Sequence, residues 1–336
     1  MTFLSAKPPF SPGNPVFCAI LANTLLSTVP GVSGAGPSPE KTLLTPVLDA
    51  ELITTGSITS CPAKPNTPTG CPTPATITRA MVDLCNLRPV FVNAGLRDTP
   101  TVPCFDTYGT VGGDPRYGNA VPLAHELFTR GKQVGMVLSS YSDQLVLGEC
   151  VPGGTTTALC VLRALGYPAS VSSSFASNPL PVKEEICRAA LARINNDGVT
   201  APLDIIRYTG DPMMPVAAGI VHSYAGNILL AGGTQMLAVT ALIKSLGIRV
   251  PPVVTTSYVR DDASANVQNL ARMIGADMYY VDPAFGELGH AGLARYCTGE
   301  VKEGTGAGGA MCLAYMLGHT PDAIRKKILA TVNAFS

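Results

Sequence analysis

The sequence predicts an α/β fold, a Rossmann-like, doubly wound and mostly parallel sheet with helices on both faces. Three observations predict it. Short runs of Val, Ile and Leu alternate with stretches of helical spacing along the whole chain, as expected for strands buried on both faces. Apolar residues make up 46% of the 336 residues and charged ones only 14%, which favours buried strands over long solvated helices. Glycine turns also join apolar runs to helix-like stretches, as in GECVPGGTTTA (148–158) and NILLAGGTQMLAV (227–239).

The elements follow in order. The opening MTFLSAKPPFSPGNP has several prolines and no long apolar stretch, so no signal peptide is expected. Val16 to Leu21 reads as a first buried strand, followed by a Gly/Pro/Ser-rich loop and then TPVLDAELI, which carries Asp49 and Glu51. Residues 59–76 hold five prolines and read as a loop. Thr78 to Cys85 looks helical, 89–96 a strand and turn, and 97–119 a polar, glycine-rich connection. Ala120 to Thr129 is expected to be a helix, and Val134 to Leu138 a strand leading toward the turn at 148–158. ASVSSSF (169–175) is a short strand or loop, Lys183 to Asn195 a helix with an acidic first turn, Pro202 to Tyr208 a strand and Met213 to Ser223 a helix. A strand, Gly-Gly-Thr and a helix follow over 227–247, then strands at 250–259 and 278–285 around a helix at 263–275, and a last helix from Pro321 to Phe335. The glycines and the short apolar halves of 227–247 argue against a membrane span.

Composition excludes several roles. Lys plus Arg and Asp plus Glu number 23 each, so there is no electrostatic case for binding nucleic acid or an anionic membrane. So little charge suggests that part of the surface is covered by another subunit. The ten cysteines are scattered, form no CxxC pair and often sit in apolar runs. They read as buried thiols in a reducing, cytoplasmic compartment.

Candidate chemistry gathers at the glycine turns. Gly153 and Gly154 allow a sharp turn and a close approach to a ligand. Thr155 or Thr156 is the expected N-cap, and the helix start aims N–H groups at an anion, usually a phosphate. Turns at 153–154, 232–233 (followed by Thr234) and 304–309 should all fall on the carboxyl edge of a parallel sheet and converge on one ligand. The plain alternative for each is a connection without a ligand. In KEGTGAGGA, Glu303 precedes Gly304 and Gly306 and an apolar helix. A carboxylate against an apolar wall becomes a better base near neutrality, while the plain reading is a glutamate that favours the helix dipole. Glu149 stands similarly before the first turn. His290 reads as structural. Asp261-Asp262 faintly resembles the acidic pair of diphosphate-using phosphoribosyltransferases, without their phosphate loop. No cluster has metal spacing, and neither a metal nor a cofactor is expected.

These motifs resemble those of the nicotinate-nucleotide–dimethylbenzimidazole phosphoribosyltransferases of cobalamin biosynthesis. GECVPGGTTTA is similar to their GEMGIGNTT-type turn, with Gly-Gly here in place of Gly-Asn, and KEGTGAGGA to their GEGTGA-type segment, with Val-Lys before the glutamate. NILLAGGTQMLAV looks like their Gly-Gly segment. VPGVSGAGPSPE and TPVLDAEL look like the N-terminal region of the archaeal and cyanobacterial branch, and likeness to that branch runs from about Val16 to Gly318. The resemblance implies a Rossmann-like core over about 14–296, a small lobe from about 297–336 with N-terminal segments, one catalytic unit across 1–336, and a homodimer. It implies transfer of ribose 5-phosphate from nicotinate mononucleotide to a benzimidazole-type or purine base, with Glu303 as catalytic base. Glu149, Gly153, Gly154, Thr155, Thr156, Lys183, Gly232, Gly233, Thr234, Gly304 and Gly306 are the implied substrate-binding positions. A nicotinate nucleotide hydrolase and a non-catalytic nicotinate-nucleotide-binding protein remain the alternatives.

Overall fold

Strand side chains point alternately to opposite faces, so an apolar run must be covered on both sides. β1 (Pro15–Ala22) shows the consequence: Val16, Cys18, Ile20 and Ala22 enter one core, and Phe17, Ala19 and Leu21 the other. The computed structural model describes residues 2–36 and 38–335. The further strands are β2 (Val90–Gly95), β3 (Phe105–Asp106), β4 (Gln144–Cys150), β5 (Asn227–Ala231), β6 (Val253–Thr256) and β7 (Met278–Val281). They form one sheet in the order β3-β2-β1-β4-β5-β6-β7, with every strand pairing parallel. The segment Phe3–Ser5 pairs antiparallel with the free edge of β7 through one bridge, Leu4 to Val281: Ser5 N–H donates to Tyr280 O and Asp282 N–H to Phe3 O. That covers an edge which would otherwise offer unpaired backbone groups.

The helices are α1 (Pro39–Thr42), α2 (Thr45–Thr55), α3 (Pro74–Leu84), α4 (Ala124–Ser139), α5 (Gly154–Ala164), α6 (Leu180–Asn196) and α7 (Pro202–Thr209). They continue with α8 (Met213–Ser223), α9 (Thr234–Ser245), α10 (Ser257–Arg260), α11 (Val267–Ile274), α12 (Ala291–Ala294), α13 (Ala307–Met316) and α14 (Pro321–Asn333). One core joins the sheet to α4, α5, α8, α9 and α11, with α6 and α7 outside α5. The opposite core joins it to α2, α3, α13 and α14. α13 lies directly against β4, β5, β6 and β7.

The strand order reverses between β1 and β4. The chain leaving β1 goes to the α2/α3 layer, and the chain leaving β4 enters α5 on the other face. Connections diverging from neighbouring strands open a crevice at their carboxyl ends, where ligands of such sheets bind.

Several local expectations are corrected. Val134 to Leu138 is not a strand but the last part of α4, which starts at Ala124 rather than Ala120. Val134, Gly135 and Leu138 are buried while Met136 and Val137 are exposed, which is helical spacing; the strand begins later, at Gln144. Pro202 to Tyr208 is α7 rather than a strand: Pro202 fills the first helical position, where its missing N–H costs nothing, and Ile205, Ile206 and Thr209 form the buried face. Of the two readings given for residues 169–175, strand or loop, the loop is the one found. Neither Thr155 nor Thr156 caps α5; the N-cap is Gly153, in the left-handed conformation at φ +80°. A Cβ there would meet Ser27 Cα at 3.1 Å, so the turn packs tightly against the 3₁₀ turn Leu25–Thr28 that follows β1.

Candidate active site

The crevice is built around Glu149, the penultimate residue of β4 and almost fully buried. Its Oε2 accepts from Gln235 Nε2 at 2.8 Å and from Val151 N–H at 3.1 Å. Gln235 lies in the first turn of α9, just after Gly232, Gly233 and Thr234. A Cβ on Gly154 would collide with the Gln235 amide. The two glycine turns therefore touch each other through Gln235. The third turn joins from the opposite face: a Cβ on Gly148 would lie 3.0 Å from Gly306 Cα, and Thr305 N–H donates to Glu149 O at 3.0 Å.

Burial pushes the Glu149 carboxyl up to about 8, helped by the charges of Asp211 and Glu303. Asp211, also buried, is raised to about 6 by burial, against a 2.6 Å hydrogen bond from Thr157 Oγ1. A raised carboxyl pKa means that the fold favours the protonated form, so stability is complete below the ordinary carboxylate range and is lost as pH rises toward 8. Glu149→Gln imitates the protonated state and cannot titrate. Between pH 6 and 9 the melting temperature of the variant is expected to gain on wild type by roughly 3 °C, from about 2 kcal/mol of linkage. Thermal melts at several pH values check this; a constant difference would show that Glu149 does not titrate there.

Glu303 is partly exposed but surrounded by protein, as a group on the floor of a cleft is. Oε1 accepts from Gly304 N–H and Gly308 N–H, both at 3.1 Å, and Oε2 from Gly308 N–H at 3.2 Å. Its own carboxylate thus occupies the N-terminal end of α13, satisfying first-turn donors. A Cβ on Gly308 would sit 2.6 Å from Glu303 Oε2 and 2.8 Å from the backbone of Thr255, so only glycine permits this seat. Burial pushes the carboxyl up to about 7, against the pull of those N–H groups. It is therefore a base poised near neutral pH, and clustered, perturbed acids of this kind mark functional sites.

Lys183, fully buried in the first turn of α6, donates to Thr155 Oγ1 at 3.0 Å and to Ser172 O at 2.9 Å. Burial, with repulsion from Lys302, brings its ammonium down to about 7. Lys302 donates to Ser173 O, Phe175 O and Gly299 O and pairs with Asp262 at 3.3 Å. Two buried lysines thus hold the 172–175 loop. Burial would raise Asp262, but hydrogen bonds from Ser172 and Ser264 and the Lys302 charge outweigh it and hold the carboxyl below its ordinary range. Asp261 is engaged by Arg260. Among the described residues no group of three or more His, Cys, Asp or Glu side chains could hold a metal ion. A cavity of about 620 Å³ opens at the ends of β6 and β7; Lys302, Asp262, Tyr258 and Tyr296 line it, and Glu303 does not.

The structure thus brings Glu149, Gly153, Gly154, Thr155, Thr156, Lys183, Gly232, Gly233, Thr234, Glu303, Gly304 and Gly306 to one edge of the sheet. The hydroxyls of Thr156 and Thr234 are buried with no protein partner. His290 caps α12 through Nδ1, which accepts from Leu293 N–H at 3.1 Å. All ten cysteines are free. Sequence reading missed Gln235, Asp211 and Lys302 and gave Asp49 and Thr305 no role. Gln235 stands in the quoted GGTQ stretch, and a polar residue in the first turn after a glycine pair was the available signal.

Relatives share nearly all of this chain. The UPF0284 protein of Methanosarcina mazei is 41% identical over 341 residues, covering 98% of this chain and 97% of that protein. The chain belongs to the UPF0284 family. A second UPF0284 protein, from Thermococcus onnurineus, is 42% identical over 315 residues, covering 92% of this chain and 94% of its own. No protein-family model matches the sequence. The fold of this chain is similar to the crystal structure of nicotinate-nucleotide-dimethylbenzimidazole phosphoribosyltransferase from Thermus thermophilus, with a TM-score of 0.63 and 16% identity over 96% of this chain and 84% of that one. A structure of CobT from the same organism gives 0.62 and 15%. At that identity the likeness establishes the shared architecture. Among the described residues of this chain no helix is long and apolar enough to cross a membrane.

Proposed function

We propose that this protein is a phosphoribosyltransferase that moves ribose 5-phosphate from nicotinate mononucleotide to a benzimidazole-type or purine base, yielding an α-ribotide for a cobamide and free nicotinate. The observation that carries the reading is Glu303: a carboxylate fixed on a helix start at the carboxyl edge of the sheet and tuned to about 7. The fold likeness to the Thermus enzyme supports it.

The chemistry follows from the substrate. The pyridinium takes the electron pair of its bond to C1′ and leaves as nicotinate, its ring now neutral. A ring nitrogen of the incoming base forms the new bond to C1′ from the opposite face, which makes its other N–H acidic. Glu303 accepts that proton. Lys183, Thr155 and the turns at Gly153–Thr156 and Gly232–Thr234 hold the phosphate. Glu149, protonated below about 8, donates to a ribose hydroxyl. The reading includes a homodimer in the cytoplasm, supported by the zero net charge and the free thiols.

NMR of the product tests the reading: the anomeric signal should report an α-linkage, and hydrolysis to free ribose 5-phosphate would reject it. Turnover is expected to persist in EDTA, because the leaving ring departs neutral and Asp261 and Asp262 are already engaged by Arg260 and Lys302. A rate restored only by Mg²⁺ would favour a diphosphate-sugar donor instead.

A further inference from the structure

Thr305, two residues after Glu303, lies in the left-handed region at φ +46°, a conformation rare for a β-branched residue and costing about 1–3 kcal/mol. Three hydrogen bonds hold it there. Its Oγ1 donates to Asp49 Oδ2 at 2.9 Å, its N–H donates to Glu149 O at 3.0 Å, and its carbonyl accepts from Thr78 Oγ1 at 2.9 Å. Asp49, on α2, is buried, and its other donors are neutral: Cys150 Sγ at 3.3 Å and Thr73 Oγ1 at 3.5 Å. A buried carboxylate without a cation is a costly way to fill space, and glycine would suit the backbone at 305 better than threonine. The pair instead ties α2, the end of β4 and the turn that carries Glu303 into one unit. On the other side of Glu303, Lys302 O accepts from Thr256 Oγ1 at 2.5 Å, so the segment is held at both ends.

We propose that Asp49 and Thr305 are positioning residues: through their side-chain hydrogen bond they hold the 303–308 turn so that the Glu303 carboxylate keeps its seat on Gly308 N–H, aimed at the proton it removes. This rests on the reading of Glu303 as the base. Burial pushes the Asp49 carboxyl up to about 6, so at neutral pH it is ionised and accepts all three donors.

The test is steady-state transfer from nicotinate mononucleotide, with nucleotide binding and thermal melts measured alongside. Thr305→Val and Asp49→Asn are expected to lower kcat about 10- to 100-fold, the cost of a misplaced catalytic group, with nucleotide affinity within about twofold of wild type. Thr305→Ser keeps the hydroxyl and should restore most of kcat. Thr305→Gly relieves the backbone strain, so it should fold at least as stably as wild type and still be slow. Unchanged kcat in Thr305→Gly overturns the proposal, as does a fall in kcat matched by equal losses of nucleotide affinity and melting temperature. A wild-type protein that transfers nothing overturns the reading of Glu303 itself. That outcome is distinct from an active wild type whose Thr305 variants are equally active.

Discussion

Glu303→Gln is expected to slow ribotide transfer by about two orders of magnitude or more, leaving nucleotide binding almost unchanged. General-base catalysis contributes ~10² to 10⁴ in rate, or about 3 to 5 kcal/mol of barrier. Glutamine fills the same seat and can still accept from Gly304 and Gly308 N–H, but it cannot take the proton. Its structural cost is small, because a carboxylate at a helix start contributes about 0.3 to 1 kcal/mol. In wild type, kcat/KM should rise with pH through about 7, because the base works only when deprotonated and burial sets it there; in the variant that limb should disappear. Single-turnover rates across pH 5.5 to 9 check both points. A variant that transfers at the wild-type rate would leave Glu303 as no more than the helix-end group its contacts with Gly308 also make it.

Lys183→Met is expected to weaken nicotinate mononucleotide binding by about 10- to 100-fold. A hydrogen bond to a charged group contributes about 1.5 to 3 kcal/mol, and each 1.4 kcal/mol is about tenfold. Stability should move little or improve. The Lys183 ammonium is depressed to about 7 by burial, so the fold disfavours its charged form; that cost is full below about 7 and fades as pH rises toward the ordinary lysine range. Methionine fills similar space without it. Calorimetry on the folded variant decides: unchanged affinity would place the phosphate away from the Thr155–Lys183 contact.

The sheet was legible because its determinants are local. Runs such as Phe17–Leu21 and Ile228–Leu230 are apolar on both faces, and the glycine turns stand directly between such runs and helices. Where the local signal was ambiguous the reading slipped. VGMVL at 134–138 reads as a strand until Met136 and Val137 prove exposed, and Pro202 reads as a strand start when it is a helix start. Glu303 stands out from its place before a glycine-rich turn and an apolar helix, whereas Lys183 is marked only by the family resemblance. The network that holds them joins residues far apart in the chain: Gln235 reaches Glu149 across 86 positions and Thr305 reaches Asp49 across 256. No window of sequence contains such a pair. The left-handed Thr305 is equally hidden, since threonine rarely adopts that conformation and only its three partners enforce it.

In the proposed function Glu303 serves transfer to a second base. That role is tested most directly by chromatographic measurement of nicotinate released from nicotinate mononucleotide, with and without dimethylbenzimidazole or adenine. Nicotinate should be released in step with formation of an α-ribotide, and only when a base is present. Nicotinate released at the same rate without any base would contradict it.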